Sequence, residues 1–235
     1  ISDQRKWDAY HKESRIFYAF MQLHLANDKQ QAWQSIKKAT ADYATNPITA
    51  FARANIALNN HYNEHVLQTL APYRDKTPAI PHLDYLNGNA LLNKLNPKAR
   101  HYLARYVQHF KGNSYVKDAY LKMGWAYLLE GKQAFYEKCG YLVRHKSNAI
   151  RATDKQAKKE VDHYHADNRY LLKARLLFDG GYFERALTQI REAGEPAENP
   201  LSHYTEHYYR LGRIQQKLNH TGEALNAYHK LTGME

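Results

Sequence analysis

The chain of 235 residues has one cysteine, three methionines and far fewer acids than bases, 23 against 34. A single thiol cannot close an internal disulfide. Cys139 lies among apolar residues in YEKCGYLV, so it reads as a packing residue rather than a nucleophile. The G-x-G-x-x-G, phosphate-loop and G-x-S-x-G patterns are all missing. Gly131-Lys132 has neither the upstream glycine nor the following hydroxyl residue that a phosphate loop requires. No apolar run is long enough to span a bilayer and no signal-peptide pattern stands at the N-terminus, so a soluble body is expected. The chain opens at Ile1 rather than Met, as a chain relieved of a targeting segment would, which leaves the compartment open between cytoplasm and an exported or periplasmic location. Strand-like alternation is almost absent.

What is present is helical. Apolar residues recur at spacings of three and four, as in Ile16, Ala19, Phe20 and Leu23. The Asn-Pro pairs Asn46-Pro47, Asn96-Pro97 and Asn199-Pro200 each read as a cap followed by a first helical residue. With 43% hydrophobic residues there is enough for a long continuous core, and one elongated all-α domain over residues 1–235 is expected.

The helical pattern repeats. In HYYRLGRIQQKLNHTGEALNAYHKL, the positions Tyr208, Leu211, Gly212, Gln215, Ala224 and Tyr228 describe two helices joined by a short turn, with small residues where they approach. One unit earlier, Tyr170, Ala174, Leu177, Ala186, Ile190 and Ala193 follow the same order around the turn Gly180-Gly181-Tyr182. Looser copies carry Tyr85, Gly88, Leu91, Ala99 and Tyr102, then Tyr120, Met123, Gly124, Tyr127 and Ala134. Gly88 to Gly124 is 36 positions and Ala174 to Gly212 is 38. TAFARANIALNNHYNEHVLQTL keeps only the helix-turn-helix outline. This pattern resembles the tetratricopeptide repeat family, whose unit is about 34 residues. The resemblance implies an α-α superhelix of stacked antiparallel hairpins, with the better units at about 83–110, 117–143, 167–194 and 205–232.

One segment breaks the spacing. Residues 144–166 form an insertion in which DKQAKKEVDHY reads as a short helix capped by Thr153 or Asp154. From Tyr141 to Glu160 there are six cations (Arg144, Lys146, Arg151, Lys155, Lys158, Lys159) and two acids (Asp154, Glu160), a net of +4 within the chain's +11. Such a basic run, together with 20 tyrosines, suits nucleic acid or another polyanion, although a solvated helix face is the plainer expectation.

Histidine is abundant, with 14 in the chain. Two pentads read H-x-x-E-H: His61, Glu64, His65 and His203, Glu206, His207. On one helix such residues can share zinc and place a carboxylate beside its water, as a zinc hydrolase requires. The register puts one pentad at the start of a second helix and the other at the start of a first, so the expectation is exposed first turns without catalysis. The cluster Asp162, His163, His165, Asp167 points no further than adventitious metal. No cofactor is expected.

The leading expectation is a non-enzymatic scaffold that binds a protein or peptide, acidic in character, in a concave groove. The resemblance places Glu206, Tyr209, Arg213 and Lys217 on that face in the last unit, and Asn168, Leu171 and Arg175 in the preceding one. In the looser units it places Asp118, Leu121 and Trp125, then His82, Tyr85 and Asn89, with Leu121 and Leu171 expected to pack in the core. The chain ends at LTGME without a polar cap, so further chain, a partner or self-association is expected to cover that end.

Overall fold

A computed structural model describes residues 2–40, 46–74, 79–163, 169–194 and 201–232. Among these the fold is all-α, with thirteen α-helices and one 3-10 turn, and no strand. The helices fall into two compact units: residues 1–91 with 98–112, and residues 92–97 with 113–235.

The first unit contains α1 (Ser2–His24), α2 (Lys29–Thr40), α3 (Pro47–Asn59), α4 (Asn63–Leu70), most of α5 (His82–Asn93) and α6 (Ala99–His109). Consecutive helices pair as hairpins, α1 with α2 and α3 with α4. Asn46 caps α3 as expected: its side-chain oxygen accepts from the backbone N–H of Ile48 at 2.8 Å and of Thr49 at 3.3 Å, and Pro47 fills the first helical position. The pair Asn96-Pro97 differs, since α6 begins two residues later at Ala99. Asn199-Pro200 lies outside the described residues. Small residues let these helices close together, with Ala32, Ala52, Ala54, Ala57 and Ala90 fully buried among Ile36, Ile56, Leu70 and Leu86. Arg105 Nε donates to Asp84 Oδ2 at 2.7 Å and so ties α6 to α5.

The second unit contains α7 (Val116–Leu129), α8 (Gln133–His145), α9 (Ala152–His163), α10 (Arg169–Asp179), α11 (Phe183–Glu192), α12 (Leu201–Lys217) and α13 (Thr221–Thr232). Hairpins again join consecutive helices: α7–α8, α10–α11 and α12–α13. Leu171, Ala174 and Leu177 of α10, Ala186, Leu187 and Ile190 of α11, and Ile214 of α12 form one apolar cluster. Each fully buried Leu or Ile in it contributes about 1.5–3 kcal/mol.

A single backbone device marks each hairpin turn. Asn27, His61, Leu95, Gly131, Gly181 and Asn219 all have left-handed φ between 54° and 81°. Asn27 to His61 is 34 residues, His61 to Leu95 is 34, Leu95 to Gly131 is 36, Gly131 to Gly181 is 50, and Gly181 to Asn219 is 38. The long interval is the one that holds α9. Close helix approach also recurs: a Cβ at Gly88 would meet Leu103 Cγ at 2.6 Å, and one at Gly212 would meet Tyr228 Cε1 at 2.5 Å.

Candidate functional site

The inserted helix α9 is built into the second unit rather than standing away from it. Its inward positions are Asp154, Ala157, Glu160 and Val161, all buried. Asp154 is not the first cap of its own helix, which starts at Ala152, although the Arg151 amide also opposes its pKa shift. It caps α7 instead, accepting the backbone N–H of Tyr115 at 2.8 Å, Lys117 at 3.0 Å and Asp118 at 3.2 Å. Burial raises the Asp154 carboxyl above its usual range, with the Tyr115 and Asp118 amides opposing the shift. The buried Lys117 ammonium donates to the carbonyls of Val143 and Arg144, satisfying the last turn of α8, and burial lowers its pKa. Arg144 in turn donates to the Val161 carbonyl at 2.7 Å and to Asp162 at 3.1 Å.

Glu160 makes the second anchor. Arg175 Nη1 donates to Glu160 Oε1 at 2.7 Å, and the guanidinium lies 4.6 Å from the centroid of the Trp125 ring. Burial works against the Arg175 charge, but the carboxylates of Glu160, Asp179 and Glu206 together outweigh it and hold the pKa above its ordinary value. Arg175 and Trp125, both expected on an open groove, are therefore engaged within the unit, Arg175 with Glu160 of α9 and Trp125 with Arg175. Trp125 is buried, and so is Asp118, which pairs with Lys122 at 2.7 Å. Leu121 and Leu171 are core residues, as expected. Asn168 lies outside the described residues.

On α12 the expected positions reach the surface. Tyr209 is 47% exposed and Lys217 is exposed. Arg213 Nη1 donates to the Tyr209 hydroxyl at 2.9 Å, and its guanidinium lies 5.7 Å from the Phe178 ring and 5.8 Å from the Tyr209 ring. Glu206 accepts from Arg210 Nε at 2.6 Å. Phe178 is the member that sequence spacing does not select; its signal is a position three residues beyond Arg175 on α10. In the first unit, Tyr85 and Asn89 are buried, with Asn89 donating to the Tyr85 carbonyl at 2.7 Å. His82 is half-buried among the rings of Phe51, Tyr106 and Phe110.

The histidine pentads do not assemble a metal site. His61 sits in the left-handed turn before α4, whereas Glu64 and His65 lie on the helix, and the His65 ring is 5.1 Å from Trp33. His207 is buried rather than exposed, its ring 5.0 Å from Tyr208. No group of three or more His, Cys, Asp or Glu among the described residues could hold a metal. His165 and Asp167 fall outside them, as does the side chain of His163. Cys139 is buried and burial pushes its thiol up to about 11, so it carries no thiolate at neutral pH. Gly131 is the left-handed turn residue of the α7–α8 hairpin, and Lys132 beside it pairs with Glu130 at 2.7 Å.

A cleft of ≈ 370 Å³ opens between α11, α12 and α13, lined in part by Arg191, His207, Gln215 and Lys230. No sequence pattern marks it, because its lining comes from three helices at unrelated spacings. Among its lining residues, Lys230 Nζ donates to the Tyr208 hydroxyl at 3.1 Å. No described helix is long and apolar enough to cross a membrane. Set against known proteins, the chain matches no family model and no curated protein.

Proposed function

We propose that the chain is a non-enzymatic, tetratricopeptide-like interaction scaffold, and that it binds an acidic peptide segment along the exposed face of α12. The repeat reading is supported by the left-handed turn residue that recurs at close to 34-residue intervals and by the small residues at the helix contacts. The observation that carries the binding reading is the Arg213 guanidinium held beside Tyr209 and Phe178, with Lys217 one turn further on. Rings that fix a guanidinium in place reduce the entropy lost when a carboxylate docks on it, and Arg can take a carboxylate through two parallel N–H bonds. Tyr and Arg are also the side chains that dominate binding energy at protein surfaces.

Selection from a displayed random-peptide library tests this. Enriched peptides should carry Asp or Glu, and their affinity for an Arg213→Glu/Lys217→Glu variant should drop at least about tenfold, the loss of one charge-assisted pair. Peptides without acidic residues, or acidic peptides indifferent to the variant, would defeat the assignment of α12 as the working face.

A further inference from the structure

We infer that the outward face of α9 is a docking site for single-stranded nucleic acid, held through its phosphates. This does not rest on the α12 reading. The sequence counts six cations and two acids between Tyr141 and Glu160, but the fold sorts them. Asp154 is turned inward onto the amides of α7, and Glu160 is turned inward onto Arg175. The next acid, Asp162, is taken by Arg144. Lys146, Arg151, Lys155, Lys158 and Lys159 are exposed, and the last three lie at i, i+3 and i+4 on one stripe. The charge seen by solvent is therefore more one-sided than the composition indicates.

The makeup of the stripe favours phosphate over protein or lipid. Its centre is lysine with no apolar side chain between, whereas the centres of protein interfaces are depleted in lysine and built on apolar area. A surface that inserts into lipid needs large apolar residues on the same face, and the outward positions of the middle turns of α9 (Lys155, Gln156, Lys158, Lys159) supply none. Phosphates need only the charges, since release of their counterions drives binding. On α8, three residues before the Arg144 that reaches Val161 and Asp162 of α9, Tyr141 is 59% exposed with its ring 4.3 Å from that of His145. An exposed ring within a basic segment offers a stacking platform for an unpaired base.

Fluorescence anisotropy with a labelled 20-nucleotide deoxythymidine strand reads the outcome. If about three phosphates are neutralised, affinity should fall about 20-fold between 50 and 200 mM salt, a log-log slope near −2. Lys155→Gln/Lys158→Gln/Lys159→Gln should flatten that slope toward zero, and Tyr141→Ala should weaken the single strand more than a duplex of the same length. A control of equal charge change, Lys29→Gln/Lys37→Gln/Lys38→Gln on α2, should leave binding within about twofold, since those contacts are not used. The proposal is overturned by no binding at 50 mM salt, by equal losses in both triple variants, or by tighter binding to phosphatidylserine vesicles than to the strand.

Discussion

At Gly212 the last hairpin closes on an aromatic ring, and the absence of a side chain is what permits it. A Cβ there would sit 2.5 Å from Tyr228 Cε1, while at Gly222, on the first turn of α13, it would meet nothing within 4 Å. Alanine is favoured over glycine by up to about 1 kcal/mol inside a helix. The same substitution should therefore have opposite signs at the two positions. Gly222→Ala should raise the urea midpoint slightly, whereas Gly212→Ala should cost about 1–3 kcal/mol through overpacking. Gly212→Ala/Tyr228→Leu should recover part of that loss, since the ring is the obstacle. A neutral Gly212→Ala would mean that Tyr228 swings aside at no cost, and the close approach would then not be what holds the hairpin.

At the scale of the element, α9 shows what a sequence conceals. Its charges are legible but their directions are not. Positions 154, 157, 160 and 161 share one helix face, and because two of the four are acids the face reads as polar, although it is the buried one. Asp154 likewise reads as a cap for the helix it begins. Three of its backbone partners lie 36 to 39 residues away in sequence, at the start of α7, and no local pattern marks them. The pair Glu160–Arg175 is mostly out of solvent, with side-chain exposures of 7% and 22%. Removing one charge should strand the other, so Glu160→Gln and Arg175→Met should each destabilise by about 3 kcal/mol. Together they should cost clearly less than the sum, and a double-mutant cycle from urea unfolding measures the difference. Simple additivity would show that the Glu160–Arg175 pair has no coupling and that the other contacts of α9 hold it in place.

For the molecule as a whole, the hairpin succession is readable in the second unit, where Gly131 and Gly181 occupy the left-handed turns that glycine normally takes. It is masked at the three earlier turns, where the same conformation falls on Asn27, His61 and Leu95 rather than on glycine. The spacing is most regular there, at 34 residues, while the residue pattern is weakest. Which surfaces stay open was less readable than either, because Tyr85, Asn89, Asp118 and Trp125 sit at helix positions that differ from Tyr209 and Lys217 only in what packs over them. Within each unit, hairpins joined by neighbour contacts distribute stability locally, each hairpin depending on the next rather than on a common centre. Leu177, 1% exposed in the cluster that joins α10, α11 and α12, offers a test. Leu177→Ala should cost about 2–4 kcal/mol, and native-state hydrogen exchange should show amides of those three helices losing about 30-fold or more in protection. Amides of α3 and α4, which belong to the other compact unit, should change by less than about twofold, as sites without shared partners do. Uniform loss across both units would instead mean that the chain opens as one cooperative body, and the local accounting used for α9 and Gly212 would then have to be made against global unfolding.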